Sequence, residues 1–253
     1  MMNTQSRTHA PQMALQRYLF GAETTEVVLI YVVMVAGGLW HIFEIFQTPM
    51  RLLAAPMVMT LTLWIVFRYD QRLRRFRDAG EHPTVTARFH IWSISVAVVS
   101  FAVEFAGVKT GAIFGRYMYT DVWIPSFRGV PIAIGFAWLG MLLASFGLAQ
   151  RYKSWHSLPA AFQACVPAIL MTVFDVFMEP AAVKLHYWEW RDTTGHEFFV
   201  APMQNYLAWC GISYVLALLA LRMRLFKQTM PRIAAHSYWA QLLYFAMVAW
   251  GKS

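Results

Sequence analysis

Long apolar runs alternate with short polar linkers along the whole 253-residue chain. Because an α-helix rises about 1.5 Å per residue, roughly 20 apolar residues cross the hydrocarbon core of a bilayer. Backbone groups in lipid must be hydrogen-bonded within the segment, so spans of this length are helices. The pattern therefore predicts an all-α, polytopic membrane helix bundle of about seven transmembrane helices. The predicted spans are residues 27–46, 49–67, 89–108, 130–148, 159–183, 203–221 and 234–250.

The composition excludes a water-soluble enzyme. Hydrophobic residues make up 58% of the chain and charged residues only 13%, whereas soluble domains carry about 25% charged residues. The net charge of +8 does not indicate a nucleic-acid partner, because most Lys and Arg residues lie in the linkers, as membrane topology requires. Cys165 and Cys210 both lie in apolar runs, which predicts neither a disulfide framework nor a zinc site.

Lys and Arg are distributed unequally between the two sets of linkers. The N-terminal segment and the linkers after the second, fourth and sixth runs hold 14 of them, and the opposite set holds 7. The positive-inside rule then places the N-terminus in the cytoplasm, with the odd-numbered helices running outward. We expect residues 1–24 to form a disordered cytoplasmic tail. Residues 25–253 are expected to form a single integral domain in the cell membrane, in contact with lipid.

A repeated pattern pairs the third and fourth helices with the fifth and sixth. Residues 104–109 and residues 179–184 both read E-x-A-x-V-K. An Ala-Trp pair then follows a proline at the same spacing, ending at Trp138 and at Trp209. Internal repeats in membrane proteins often place a site at the interface between the repeats. The alternative is a chance match, because Ala, Val, Pro and Trp are common in membrane segments.

Four carboxylates lie inside the predicted spans, near the C-terminal ends of odd-numbered helices. They are Glu44, Glu104, Asp175 and Glu179. A charged group inside a bilayer costs roughly 2.5–3.5 kcal/mol on insertion scales, so each such residue is a candidate functional residue. With the predicted orientation all four reach the same outer half of the membrane, which predicts one shared acidic site.

Helical spacing brings some of these side chains together. Asp175 and Glu179 are four residues apart on one helix face, and His41 and Glu44 are three apart on another. Except for Asp175, which lies deepest, these residues also have a purely structural interpretation. Glu44 and Glu179 can be hydrated at the interface, the lysines that follow two of the glutamates can pair with them, and His41 can be a packing residue.

Paired carboxylates in an apolar site can carry out acid–base chemistry without a cofactor. Two of them cannot both ionise cheaply, so one keeps its proton at neutral pH and can protonate a carbon–carbon double bond. The ionised neighbour can then accept a proton from attacking water. Aromatic faces would stabilise the carbocation between these steps, and the outer linkers supply them at Tyr117, Tyr119, Trp188 and Trp190. The alternative for these residues is the interfacial aromatic belt of membrane proteins.

Several other chemistries lack their usual sequence patterns. The histidines form no H-x-x-x-H or H-x-x-H-H cluster, which disfavours a di-iron enzyme. No G-x-G-x-x-G run occurs, which disfavours nicotinamide or flavin binding. No acidic run suited to magnesium diphosphate is present, and the last apolar run has no lysine for a retinal Schiff base. The sequence therefore predicts no metal and no cofactor.

Four segments resemble the signature blocks of the membrane carotenoid biosynthesis proteins, a family that includes bisanhydrobacterioruberin hydratases and carotenoid 1′,2′-hydratases. They are EFAGVKTGAIFGRYMYTD, GVPIAIGFAW, FDVFMEPAAVKLHYWEW and P-x-x-N-Y-x-x-W. The resemblance covers roughly residues 104–209 and rests on the order of the blocks. Two features depart from the pattern: Ala181 and Ala182 stand where glycine is expected, and an extra charged stretch, RDTTGHE, lies in the outer linker.

The resemblance implies hydration of a terminal double bond of an acyclic, lycopene- or bacterioruberin-like carotenoid to a tertiary alcohol. Asp175 or Glu179 would protonate C-2, and water positioned by Glu104 and Asn205 would attack the cation at C-1. The end-group pocket would be lined by Tyr117, Tyr119, Trp188 and Trp190, with His41 and Glu44 as further substrate contacts. The alternative role for Asn205 is an N-terminal cap of the sixth helix.

Two other functions remain open from the sequence. End-group cyclisation of a carotenoid also begins with an acid, but its cation is quenched by proton loss instead of by water. A proton-coupled transporter or a non-catalytic membrane scaffold can also contain intramembrane carboxylates. A transporter would move its substrate and leave it chemically unchanged.

Overall fold

The computed structural model describes residues 6–78, 84–191 and 199–251. These residues contain seven α-helices, four short β-strands and a 3-10 helix at Lys153–Ser157. The helices are α1 (Ser6–Ile42), α2 (Gln47–Asp78), α3 (Thr84–Thr110), α4 (Ala133–Ala149), α5 (Ala160–Lys184), α6 (Met203–Arg222) and α7 (Arg232–Trp250). The strands are β1 (Tyr117–Tyr119), β2 (Ser126–Phe127), β3 (Val130–Pro131) and β4 (Trp188–Trp190).

Five helical segments of the described chain are long and apolar enough to cross a membrane. They are Glu23–Ile42, Gln47–Arg75, Thr84–Thr110, Ala160–Lys184 and Met203–Arg222. The apolar helix α4 has 17 residues and is shorter than these five. The prediction of a helical protein with segments able to cross a membrane is therefore confirmed.

Helix α1 ends earlier than the apolar pattern predicts. It begins at Ser6, within the segment expected to be a tail, and stops at Ile42 instead of at residue 46. Glu44 and Phe46 have φ angles of 56° and 54°, and this left-handed conformation interrupts an α-helix. Glu44 therefore lies in the turn between α1 and α2, and not inside a helix together with His41.

Helix α4 is the central helix of the bundle. It packs against α2, α3, α5 and α7, and nearly all of its residues are buried. Two glycines allow neighbouring helices to come close. A Cβ atom at Gly140 would overlap Thr62 of α2, and one at Gly147 would lie 2.8 Å from the Cβ of Ala234 in α7.

Two strands join the connection that follows α3 to the connection that follows α5. In this antiparallel pair, Tyr117, Met118 and Tyr119 of β1 lie opposite Trp190, Glu189 and Trp188 of β4, respectively. Alternate residues of a strand share a face, so each strand places its two aromatic residues on one face. The middle residues, Met118 and Glu189, are exposed.

An open cleft separates α1 from α2. α1 packs mainly on α7, α2 packs mainly on α4, and α1 and α2 touch each other at few positions. α4 and α7 also pack on each other, so they close the inner side of this cleft.

Ion pairs lie at the end of the bundle away from β1 and β4. Arg68 Nη1 lies 2.8 Å from Glu26 Oε1, and Arg72 pairs with Glu23. These contacts join the first part of the apolar segment of α1 to the last part of that of α2. The charged end and the strand pair therefore occupy different parts of the molecule.

Candidate active site

Glu104, near the C-terminal end of α3, is a buried carboxylate with three side-chain donors. Its Oε2 accepts hydrogen bonds from the hydroxyls of Tyr117 at 2.5 Å and Tyr119 at 2.8 Å. Its Oε1 accepts a hydrogen bond from the indole N–H of Trp138 at 2.9 Å. The side chain is only 3% exposed, so these three groups take the place of the water that would otherwise surround it.

Glu179, near the C-terminal end of α5, has a matching arrangement. Its Oε2 accepts hydrogen bonds from the indole N–H groups of Trp188 at 3.1 Å and Trp190 at 2.8 Å. In each case the carboxylate lies on a helix, and both aromatic residues of the following strand donate to it. The strand alternation of β1 and β4 therefore explains why the donors come in pairs two residues apart.

Asp175 lies one helical turn before Glu179 and is completely buried. Its Oδ2 accepts a hydrogen bond from Asn205 Nδ2 at 2.6 Å, and its Oδ1 has no hydrogen-bond partner among the described residues. Helix α6 begins after Pro202 without a side-chain cap hydrogen bond. The structure thus uses Asn205 to hold Asp175 and not to cap α6.

The tyrosines beside Glu104 stay neutral and act as hydrogen-bond donors. Burial raises the pKa of Tyr117, and the nearby carboxylate of Glu104 raises it further. The pKa of Tyr119 is raised by the same two causes. Both hydroxyls therefore keep their protons over the whole physiological range.

Aromatic contacts fix the donors in place. Trp138 stacks on Trp209 of α6, with ring centroids 4.1 Å apart and an interplanar angle of 21°. Tyr117 packs against Trp190 across the strand pair, with ring centroids 5.0 Å apart. Contacts of this kind are worth about 0.5–1.5 kcal/mol beyond the area that they bury, and here they hold the hydrogen-bond geometry at the carboxylates.

An apolar cavity of about 280 Å³ lies beside these groups. Its lining includes seven of the residues predicted to act on a substrate, which are Glu104, Glu179, Tyr117, Tyr119, Trp188, Trp190 and Asn205. Of the described residues, Glu104 and Glu179 are the acidic ones in this lining, and the buried Asp175 is not part of it. The structure thus brings two carboxylates and their aromatic donors to one apolar space.

His41 and Glu44 lie at a second, polar pocket of about 340 Å³ instead of on the cavity wall. Its other polar lining residues include Gln47, Arg51 and Lys184. The hydroxyl of Tyr244, which lines the apolar cavity, lies 3.1 Å from His41 Nε2. His41 therefore contacts the wall of the cavity without facing its interior.

The lysines that follow the two glutamates make other contacts. Lys184 Nζ donates to the carbonyl oxygen of Gly251 at 2.7 Å, and Lys109 Nζ lies 5.8 Å from the ring centroid of Phe105. The helix-end pairing considered from the sequence therefore does not explain the burial of Glu104 and Glu179.

Sequence reasoning missed several residues of the site. The sequence pattern indicates Trp138 as part of the repeat and not as a donor to Glu104, and no pattern in the sequence points to Tyr244. The signal for Trp138 was its equivalence to Trp209 in the repeated pattern. For the cavity wall on α2, the signal was an apolar stripe at helical spacing, which is also typical of ordinary core packing.

The fold and the site define a helical protein with buried carboxylates beside an aromatic-lined apolar cavity. Within the described residues, no group of three or more His, Cys, Asp or Glu side chains is arranged to hold a metal ion. The chain belongs to the carotenoid biosynthesis protein family, whose family model matches residues 54–252. This membership confirms the resemblance carried by the four sequence blocks.

The chain is also similar to the bisanhydrobacterioruberin hydratase of Haloarcula japonica. The two sequences are 23% identical over 132 residues. The aligned part is 52% of this chain and 44% of the relative, so the match spans less than half the length of that curated relative. No solved structure matches the chain.

Proposed function

We propose that this protein hydrates the terminal carbon–carbon double bond of an acyclic carotenoid end group to a tertiary alcohol. The observation that carries the proposal is that Glu104 and Glu179, both buried, line one apolar cavity, each held by a strand of the β1–β4 pair. Membership of the carotenoid biosynthesis family supports a polyene substrate. The similarity to a hydratase supports water as the second reactant.

Glu179 is the proposed proton donor to C-2 of the end group. It shares a water-poor helix face with Asp175, where two carboxylates cannot both ionise cheaply, so the pair keeps a proton at neutral pH. Glu179 lines the cavity and Asp175 does not. Glu179 is therefore the member of the pair that can reach the substrate, and Asp175 is a positioning residue.

Glu104 is the proposed base that receives a proton from water. Its three donors favour the charged form of the carboxylate. Protonation of C-2 leaves a tertiary cation at C-1, water forms the new C–O bond, and the released proton goes to Glu104. The reaction consumes one water molecule and moves no electrons between substrate and protein. A proton passed from Glu104 to the Glu179–Asp175 pair restores the starting state.

Aromatic side chains around the cavity support a cationic intermediate. Trp188, Trp190 and Trp209 all line the cavity, and the face of an indole ring attracts cations. The apolar helices that form the rest of the lining keep bulk water away, which limits the supply of competing bases. A tertiary cation in this space is therefore protected until the positioned water attacks it.

Pigment analysis in a lycopene-producing host, with and without this chain, tests the proposal. The expected product is heavier than lycopene by the mass of one water molecule for each reacted end. A cyclic product of unchanged mass would favour end-group cyclisation instead. Unaltered lycopene, together with substrate flux into vesicles, would favour a transporter.

We also propose that the chain crosses the cell membrane seven times, with its N-terminus in the cytoplasm. The distribution of Lys and Arg over the linkers supports this orientation. α4 and α7 are the two additional crossings beyond the five long apolar segments. The tight packing of α4 among α2, α3, α5 and α7 supports its place inside such a bundle.

We further propose that α3–α4 and α5–α6 are two copies of an internal repeat. The antiparallel pairing of β1 with β4 and the stacking of Trp138 on Trp209 support it, because residues at matching positions of the two halves meet each other. In this arrangement Glu104 and Glu179 are equivalent positions, and the proposed site lies between the two halves.

A further inference from the structure

The apolar cavity extends along the cleft between α1 and α2. On α2 its lining residues recur at helical spacing from Met50 to Ile65, which is about 22 Å at the helical rise of 1.5 Å per residue. On α1 they run from Val32 to Trp40. The two carboxylates come from α3 and α5, which are not the helices that border the cleft.

The inner side of the cleft is closed and its outer side is open. Residues of α4 and α7, such as Ala137 and Phe245, form part of the lining. The residues at the opening line the cavity and are also exposed, to between 38% and 58%: they are Val32, Val33, Leu53 and Met57. All four are apolar and belong to helical segments long and apolar enough to cross a membrane. An opening at this place on such helices faces hydrocarbon and not water.

The cavity, with a volume of about 280 Å³, does not enclose a whole carotenoid. Its lining follows α2 for about 22 Å, and an acyclic carotenoid of many isoprene units is longer than this. A substrate whose end group reaches Glu104 and Glu179 must therefore extend out of the cavity.

We infer that the cleft between α1 and α2 is a lateral opening through which the substrate inserts end-on from the hydrocarbon layer. The end group lies beside the carboxylates, and the rest of the polyene occupies the cleft and the surrounding lipid. This inference rests on the proposed function for the identity of the chain in the cleft. The second pocket does not provide this route, because Glu44 and Arg51 line it and a polyene would displace water from charged groups there.

The division into a cavity for the end group and a cleft for the polyene determines which part of the substrate the protein recognises. Contacts inside the cavity select the shape and charge development of the end group, while the cleft makes only apolar contacts with the polyene. The rate is therefore expected to depend weakly on the total length of the carotenoid. A symmetric substrate would react at its second end only after leaving the cleft and inserting the other way round.

Tryptophan substitutions at the opening test the inference. Val33→Trp and Leu53→Trp place a bulky ring where the polyene would lie, and turnover of a full-length acyclic carotenoid is expected to fall about tenfold or more. Leu29→Trp and Leu52→Trp are matched controls on the same two helices, since both residues are 60% exposed and do not line the cavity. Wild-type turnover in the opening variants, or an equal loss in the controls, would overturn the inference.

Photo-crosslinking separates this inference from the proposed reaction. A benzophenone amino acid at position 57 is expected to form adducts with added lycopene, and the same group at position 63 is expected to form none. Leu63 is exposed but does not line the cavity. Adducts at position 57 without hydrated product would leave the opening in place and remove the proposed reaction. Hydrated product without adducts at position 57 would support the proposed reaction and rule out the lateral opening.

Discussion

Glu104 and Glu179 each lie near the C-terminal end of a helix, yet they receive different donors. Glu104 accepts hydrogen bonds from two phenol hydroxyls and one indole, whereas Glu179 accepts them from two indoles and has Asp175 one turn away. Each donor favours a charged carboxylate and a neighbouring carboxylate opposes it. At the scale of single residues this difference is the basis for proposing Glu104 as the base and Glu179 as the acid.

Glu179→Gln is expected to remove turnover. The amide keeps the size of the side chain and an oxygen that can accept from Trp188 and Trp190, but it carries no acidic proton. Loss of a general acid lowers kcat by about 10²–10⁴-fold, which is measured as hydrated product formed by the reconstituted protein. The control is Glu189→Gln, at the exposed middle position of β4, which should retain wild-type turnover. Equal losses in the two variants would contradict the assignment of the acid.

Asp175→Asn is also expected to abolish turnover, while expression and behaviour in detergent stay normal. Because Asp175 is buried and does not line the cavity, the loss should appear in kcat and leave KM unchanged. A purely structural residue would instead lower the yield of monodisperse protein. Retained turnover in this variant would remove Asp175 from the mechanism.

At the scale of elements, β1 and β4 supply four of the five donors to Glu104 and Glu179. Each strand is only three residues long, so its conformation depends on the pairing with the other strand. The antiparallel register places the donors of one carboxylate against those of the other, with Tyr119 and Trp188 at a centroid distance of 5.9 Å. A change in one connection therefore affects both carboxylates.

Tyr119→Phe is expected to lower kcat and leave the fold intact. The phenyl ring keeps the packing against Trp188, and only the hydroxyl that donates to Glu104 is lost. Removal of one aligned donor at a reacting charge typically costs about 10²–10³-fold in kcat, and two other donors remain here, so the loss should lie at or below the lower end of this range. Met118→Ala, on the exposed face of the same strand, serves as the matched comparison. A kcat equal to that of wild type in Tyr119→Phe would show that the hydroxyl is dispensable.

At the scale of the whole molecule, the polar groups are segregated along the bundle. Ion pairs join α1 and α2 at one end, and the carboxylates with their aromatic donors lie near the other. The cleft between α1 and α2 opens on the flank of the bundle. This separation suits a protein whose substrate remains in the hydrocarbon layer while its reacting end approaches polar groups.

Cysteine labelling is expected to confirm the orientation of the bundle. In a background that lacks Cys165 and Cys210, Arg74→Cys should react with a membrane-impermeant maleimide only from the cytoplasmic side. Arg128→Cys, in the exposed turn between β2 and β3, should react only from the outside. This expectation follows from the positive-inside rule, which places the linkers richest in Lys and Arg in the cytoplasm. Labelling of position 74 from the outside alone would show that the orientation of the helices is the opposite of the one proposed.

The pattern of hydrophobic residues was enough to predict that the protein is helical. In lipid the backbone N–H and C=O groups must be hydrogen-bonded within the protein, and long apolar segments achieve this as helices. The same patterning placed Glu104, Asp175 and Glu179 near helix ends, and helical spacing put Asp175 and Glu179 on one face. Ordered sequence blocks then indicated the carotenoid biosynthesis family. All of these inferences depend on the order and spacing of residues along the chain, and none of them requires knowing which distant segments touch.

Contacts between distant parts of the chain determined the remaining features of the site, namely the partners of each carboxylate and the positions of Glu44 and His41. Pairing of β1 with β4 decided which donors reach each carboxylate, and packing of α5 against α6 brought Asn205 to the buried Asp175. Glu44 and Phe46 have a left-handed backbone conformation, so Glu44 lies in a turn after α1. The packing of α1 on α7 places His41 beside Tyr244. Periodicity defines the faces of a helix, but which neighbour covers each face is a property of the folded whole.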